Sequence, residues 1–76
     1  MRKRRYDLEK AEIAIGKTIR KLRHRKRWTL EETEEHGDIL WRQLQRLENG
    51  QNLKLGTIIK LANLFGVHPS DLLRDI

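Results

Sequence analysis

Apolar residues recur along this 76-residue chain at spacings of three and four, the period expected of helices that bury one face. Four such stripes follow one another, and no segment alternates with a period of two, so we predict helices and no strand. The stripes consist of Leu8, Ala11, Ile15, Ile19 and Leu22; Leu40, Leu44 and Leu47; Ile58, Leu61, Ala62 and Phe65; and Leu72, Leu73 and Ile76.

Capping residues place the helix ends and add a fifth helix between the first two stripes. Asp7 is a plausible N-cap for the first helix. Thr29, followed three residues later by Glu32, has the spacing of a capping box and starts the second helix. Gly16 lies inside the first helix, where it marks either a bend or a close contact between helices. The predicted stops and starts further along are Gly37, Gly50, Gly66 and Pro69.

The third helix has two chemically different faces. Its leucines fall on one narrow face, whereas Arg42, Arg46 and Asn49 fall on the opposite one, with Gln45 beside them. Arginine can bind guanine O6 and N7 with two hydrogen bonds, and glutamine or asparagine can do the same on adenine. Taken alone, the pattern is more typical of a solvated amphipathic helix, so a DNA-reading role depends on the flanking sequence.

The net charge of +6 is spread unevenly. Residues 1–27 hold 12 of the 17 basic residues, whereas residues 28–39 hold 5 acidic residues and no Lys or Arg. Such asymmetry favours a polyanionic partner, nucleic acid ahead of membrane, although a basic surface can also serve solubility alone. The chain has no cysteine, which excludes disulfides and thiolate metal sites and fits a cytoplasmic protein. It also has no apolar run near 18 residues, so we expect no membrane span.

Five segments in order resemble one known family, the Cro/repressor (XRE-type) helix-turn-helix proteins, from about Ile15 to Leu73. The resemblance implies an all-α, five-helix helix-turn-helix domain of the lambda-repressor-like type, which we place at residues 7–76. The basic run before it, which offers nothing to bury, predicts a basic N-terminal arm, residues 1–6. The segments that carry it are Ile19-Arg20-Lys21-Leu22-Arg23, Thr29 with Glu31-Glu32, Leu44-Gln45-Arg46-Leu47-Glu48-Asn49-Gly50, Leu61-Ala62-Asn63-Leu64-Phe65-Gly66-Val67 and Asp71-Leu72-Leu73.

The same resemblance implies roles for individual residues. The third helix becomes the recognition helix, and Arg23 and Glu48 become a partly buried structural ion pair between the first and third helices. The dimer contact falls on Val67, Leu73 and Ile76. The expected DNA-binding residues are Trp41, Arg42, Gln43 and Arg46 at base edges or adjacent phosphates, with Asn49 and Lys54 along the phosphate backbone.

The chain departs from the family pattern around the junction of the second and third helices. Thr33 and Glu34 stand where the family usually has leucine and a small residue, so the second helix is either rotated or extends Glu34 to solvent. Leu30 replaces a frequent glutamine and cannot bind phosphate through its side chain. Leu40 replaces the usual Ser or Thr N-cap, so we expect the start of the third helix to lack a side-chain cap. The glycine of the turn comes one residue early, at Gly37.

The sequence therefore predicts a sequence-specific, dimeric, cytoplasmic DNA-binding protein, a transcriptional regulator that needs no cofactor. One alternative is a protein-interaction module that uses the acidic second helix and binds DNA weakly. A second is a basic helix, residues 8–27, lying on a membrane surface, against which the scarcity of bulky apolar residues argues. An enzyme is the third, and no catalytic constellation supports it. No metal site is expected either, because three histidines share no ligand spacing: His24, His36 and His68.

Overall fold

Five helices make up most of residues 5–76, the part of the chain that the computed structural model describes. Across this range the structure has no strand, so the predicted all-α fold is confirmed. Most of the predicted arm lies outside the described residues, which include only Arg5 and Tyr6 of it. The helices are α1 (Leu8–Arg25), α2 (Leu30–His36), α3 (Trp41–Glu48), α4 (Leu55–Phe65) and α5 (Pro69–Leu72).

The predicted caps start the first two helices. The Asp7 carboxylate accepts a hydrogen bond from the Lys10 N–H at 2.9 Å. Thr29 and Glu32 form a complete capping box: Thr29 Oγ1 accepts from the Glu32 N–H at 3.1 Å, and Glu32 Oε1 accepts from the Thr29 N–H at 3.0 Å. Both bonds lower the pKa of Glu32, and the bond from the Thr29 backbone N–H has the larger effect.

Most residues of the apolar stripes meet in one core. Leu44 and Leu47 of α3 are fully buried there, and Ile39, in the turn before α3, is buried with them. Residues of α1, α4 and α5 close the core around this helix, which fixes the face that α3 turns toward solvent. The buried apolar side chains are Ile15, Ile19, Leu22, Ile39, Leu44, Leu47, Ile58, Leu61, Ala62, Phe65 and Leu72.

Two glycines allow the backbone of α1 to approach the C-terminal end of α3. A Cβ on Gly16 would lie 2.4 Å from the carbonyl oxygen of Glu48, closer than any side chain tolerates. A Cβ on Gly50 would lie 2.9 Å from the carbonyl oxygen of Glu12 on α1. Of the two readings of Gly16, a bend or a close contact, the structure therefore shows the close contact.

The junction of α2 and α3 accommodates its polar residues without rotating Thr33 out of the core. Thr33 is completely buried, and its hydroxyl donates to the Thr29 carbonyl at 2.8 Å, so no polar atom is left without a partner there. Gly37 ends α2 in an extended conformation, and a Cβ on it would lie 2.9 Å from Cδ1 of Leu64. The early glycine thus makes room for an α4 side chain.

The last helix is shorter than its apolar stripe indicates. α5 consists of one turn that ends at Leu72, and Leu73 and Ile76 lie beyond it, although the sequence assigned both to the helix. His68 and Asp71 form a capping box at its start, with Pro69 in the first turn. One turn suffices because only Leu72 of this segment is buried in the core.

Candidate nucleic-acid interface

The outward face of α3 consists of polar and charged side chains on a helix whose other face is locked into the core. Leu44 and Leu47 have no exposed surface, so the helix cannot rotate without unburying them. Arg42, Gln43 and Arg46 are all exposed; by helical spacing Arg42 and Arg46 lie opposite the leucines and Gln43 lies at their flank. The burial of two leucines thereby presents three hydrogen-bonding side chains to whatever approaches this face.

The C-terminal end of α3 closes in a Schellman motif. Gly50 adopts a left-handed φ of 81°, and its N–H donates to the Leu47 carbonyl at 3.0 Å. The N–H of Gln51 donates to the Arg46 carbonyl at 2.9 Å. The helix therefore stops abruptly, and Asn49 at its C-cap is exposed, at the edge of the α3 surface.

A bidentate ion pair joins the same end of α3 to α1. Nε of Arg23 lies 2.6 Å from Oε2 of Glu48, and a terminal nitrogen of Arg23 lies 3.0 Å from Oε1. The two side chains are only 9% and 8% exposed, and Arg23 also donates to the Trp28 carbonyl at 2.8 Å. The hydrogen bond with Glu48 raises the pKa of Arg23 despite its burial. These are the two residues that the resemblance pairs.

At the N-terminal end of α3, Trp41 and Arg42 lie against each other. The guanidinium carbon of Arg42 is 5.4 Å from the centre of the Trp41 ring, a cation–π contact. Trp41 is half-buried and Arg42 is exposed, so the ring flanks the core and also supports the arginine.

The start of α3 receives its acceptor from another helix. Leu40, the N-cap residue, makes no side-chain hydrogen bond, as its chemistry requires. Instead, Oε1 of Glu34 on α2 accepts from the Trp41 N–H at 2.8 Å. The Glu34 side chain is thus half-buried and turned toward α3, which differs from the sequence-based option that it extends to solvent.

An open groove of about 410 Å³ lies between α3 and the segment that leads into α4. It brings together three of the predicted DNA-binding residues, Gln43, Arg46 and Lys54. Asn52, with a left-handed φ of 56°, and Thr57 complete its lining. Its surface offers two cations, two amides and a hydroxyl, the groups that bind phosphate and base edges in nucleic-acid complexes.

The predicted dimer residues differ in exposure. Val67 is partly buried against the core, whereas Leu73 and Ile76 are 41% and 47% exposed. Six further large apolar side chains of the described residues are also exposed. Two of them, Leu8 at 74% and Leu40 at 66%, correct the sequence analysis, which placed both in apolar stripes. The others are Tyr6 at 68%, Ile13 at 45%, Leu55 at 77% and Ile59 at 41%.

Sequence reasoning missed three features of this region: the direction of Glu34, the place of Thr57 in the groove, and the partner of Trp28. The Trp28 ring stacks on His36 with centroids 4.1 Å apart. One signal for the direction of Glu34 was available in the sequence: an acidic residue near the end of the second helix precedes an apolar N-cap, Leu40, on the third. The other two have no local signal, because they depend on how α2 and α4 cross their neighbours.

Two kinds of structural feature are absent from residues 5–76. None of the helices described there is both long and apolar enough to cross a membrane. Within the same residues, no group of three or more His, Asp or Glu side chains is placed to hold a metal ion.

Comparison with known proteins gives one match. Residues 16–76 match the model of a protein family described as a helix-turn-helix domain. No curated protein and no solved structure matches the chain.

Proposed function

The chain belongs to the helix-turn-helix domain family, and we propose that it binds specific sequences of double-stranded DNA by inserting α3 into the major groove. The observation that carries this proposal is the exposed row of Arg42, Gln43 and Arg46 on a helix that Leu44 and Leu47 hold rigidly in the core. A rigid helix that presents bidentate donors matches the requirements of direct base readout.

Each side chain of the surface has a proposed role. Arg42 and Arg46 bind guanine edges, and Gln43 binds adenine or an adjacent phosphate. Trp41 supports Arg42 through the cation–π contact. Lys54, at the far wall of the groove, and Asn49, at the C-cap of α3, bind the phosphate backbone and set the position of the protein on the duplex.

The charge distribution supports attraction to DNA over longer distances. The chain carries a net charge of +6, and residues 1–27 hold 12 of its 17 basic residues. In the proposed organisation, the basic arm, residues 1–6, adds sequence-independent attraction to the domain formed by residues 7–76. Removal of the arm should weaken binding to all sequences and flatten the salt dependence of the affinity.

The proposed biological role is that of a cytoplasmic transcriptional regulator that binds as a homodimer. Two copies would place their α3 helices in two half-sites about one turn of the duplex apart. The exposed side chains of Leu73 and Ile76, with Val67 beside them, are the proposed contact between the copies. A dimer contact would also stabilise a domain this small, which buries only about 60% of its unfolded surface.

The test is selection of bound duplexes from a random pool at near-physiological salt. We expect a motif with two related halves at fixed spacing. With the selected site, Arg42→Ala and Arg46→Ala should each weaken binding by about 1–3 kcal/mol. Lys17→Ala is the control, because Lys17 is an exposed cation on α1 that lines neither the groove beside α3 nor the cleft beside Val67.

The proposal fails if no motif is enriched and all binding disappears as salt rises, because charge alone would then account for it. Equal losses for Arg42→Ala on selected and random duplexes would remove Arg42 from base readout. Equal losses for Arg42→Ala and Lys17→Ala would remove α3 from the interface.

One observation favours a second candidate, a protein-interaction module. Glu31, Glu32 and Glu35 are all exposed on α2, directly beside the proposed DNA surface, where carboxylates repel phosphates. This candidate predicts weak binding to any DNA, and loss of a protein partner when the three residues are changed to glutamine. Enrichment of a DNA motif that survives those three changes would exclude it.

A further inference from the structure

We propose that Glu34 of α2 is the N-terminal cap of α3 and thereby a positioning residue for sequence recognition by Trp41 and Arg42. The inference rests on the proposed function, because it deepens how α3 reads DNA. It adds a residue from a different helix, one that touches no base in the proposed complex.

The start of α3 needs an acceptor that its own sequence does not supply. The first N–H groups of any helix lack partners within the helix, and an N-cap side chain usually accepts from one of them. Leu40 occupies the N-cap with the extended backbone that this position requires, φ −65° and ψ 143°, but has no polar atom in its side chain. The first turn of α3 also contains no acidic residue.

Glu34 fills this deficit from across the turn. Its Oε1 accepts from the Trp41 N–H at 2.8 Å, and the side chain is half-buried between the two helices. A carboxylate at a helix N-terminus gains both a charge-assisted hydrogen bond and a favourable interaction with the helix dipole. The bond therefore ties the beginning of α3 to α2 at one defined distance.

The residue held by this bond is the one that supports Arg42. The Trp41 ring lies 5.4 Å from the guanidinium carbon of Arg42, so the chain of contacts runs from Glu34 through the Trp41 backbone to the Arg42 side chain. If the first turn of α3 frays, both side chains lose their fixed positions. Ordering them again during binding costs affinity for the specific site, where base contacts depend on geometry, more than for random duplexes.

The principal test compares Glu34→Ala with Glu35→Ala. Both remove one negative charge from α2, but Glu35 is exposed and only Glu34 contacts Trp41. We expect Glu34→Ala to reduce the ratio of specific to random DNA affinity about tenfold, the size of a lost cap. Glu35→Ala should leave that ratio unchanged. Equal ratios for the two variants would overturn the proposal, since charge near DNA would then be the only effect.

Two further variants separate capping from general loss of structure. Glu34→Gln keeps an acceptor oxygen at the same distance and should retain most of the ratio. Leu40→Ser, combined with Glu34→Ala, places a hydroxyl at the N-cap, where it can accept from the backbone of Arg42 or Gln43. The 66% exposure of Leu40 means that this change removes no core contact. The combination should restore the ratio, or restore folding if Glu34→Ala alone does not fold; failure to do either contradicts the proposal.

A measurement without DNA distinguishes this proposal from the proposed function. Hydrogen exchange of the Trp41 amide should become about tenfold faster in Glu34→Ala and stay unchanged in Glu35→Ala, because only the first variant removes its acceptor. Unchanged exchange in both variants would overturn the cap. If the wild type enriches no DNA motif but the exchange rates differ as expected, the proposed function fails and the cap of α3 stands.

Discussion

The two ends of α3 are held in opposite ways. At the C-terminal end, the backbone of α1 packs against Glu48 and Gly50, and the Arg23–Glu48 pair lies beneath the contact with Nε and Oε2 2.6 Å apart. At the N-terminal end, one hydrogen bond from Glu34 to Trp41 crosses a turn to a half-buried site. The C-terminal end of α3 is thus held by backbone packing and an ion pair, whereas its N-terminal end has one side-chain-to-backbone hydrogen bond beside the buried Ile39.

The largest effect is expected from Glu48→Ala, which leaves the Arg23 guanidinium buried without its carboxylate. Loss of one partner of a buried pair costs about 3–5 kcal/mol in the free energy of unfolding, measured by urea denaturation. The control is Arg74→Ala, which breaks a pair with Asp71 in which Arg74 is 74% exposed. That change should cost no more than about 0.5 kcal/mol. Similar costs for the two variants would show that burial does not distinguish the pairs.

Gly16→Ala should come next, because its Cβ would lie 2.4 Å from the Glu48 carbonyl oxygen and force α1 and α3 apart. Overpacking of this kind costs about 1–3 kcal/mol, more than the roughly 1 kcal/mol that alanine gains over glycine inside a helix. In Gly56→Ala, no atom beyond the adjacent residues and the backbone of the same helix lies within 4 Å of the new Cβ, so we expect stabilisation. Thermal unfolding of both variants tests the contrast; shifts of the same sign would contradict the close contact.

Gly50→Ala and Gly66→Ala separate backbone strain from contact. Both glycines have a left-handed φ, 81° and 69°, which costs alanine about 1–2 kcal/mol at either position. Only at Gly50 would the Cβ also meet the Glu12 carbonyl, at 2.9 Å. Gly50→Ala should therefore lose more stability in urea denaturation than Gly66→Ala. Equal losses of stability in the two variants would mean that α1 moves away from the new methyl group at Gly50 without a measurable change in the free energy of unfolding.

The smallest effect on stability is expected from Glu32, which caps its own helix, α2. The cap of α3, in contrast, comes from a neighbouring helix. The Thr29 backbone N–H holds the pKa of Glu32 below its ordinary value of 4.5. A lowered pKa in the folded state gives stability that is present above the ordinary value and is lost as the pH falls through the folded one. Unfolding midpoints should thus favour the wild type over Glu32→Gln at pH 7 and converge in acid; a difference independent of pH would contradict this.

Most helix ends could be predicted because their signals are local. Asp7, Thr29 with Glu32, Gly50 and Gly66 act on backbone groups within four residues, and the structure uses each of them as the sequence indicates. The length of α5 could not be predicted this way. Its apolar stripe continues past Leu72, but packing against the core needs only that one side chain, and the helix ends there.

Some features of the candidate site could likewise be predicted from local signals, and others could not. The identity of the exposed face of α3 followed from the period of Leu44 and Leu47, because a helix that buries two leucines must expose the residues opposite. The groove that joins Gln43 and Arg46 to Thr57 depends on the path of the segment between α3 and α4, which no periodicity describes. Pattern rules identify which residues point outward, but not which of them meet.

The sequence by itself determined the helical class and the face that α3 turns away from the core, because periodicity and capping operate through neighbours along the chain. The family followed from the resemblance of five segments to known helix-turn-helix proteins. Only the tertiary structure decided that Gly16 meets Glu48 and that Glu34 caps α3. These contacts depend on the distance and angle between helices, which arise when all the apolar stripes share one core. A hydrogen bond across seven residues and a turn exists only once that packing has placed its two ends 2.8 Å apart.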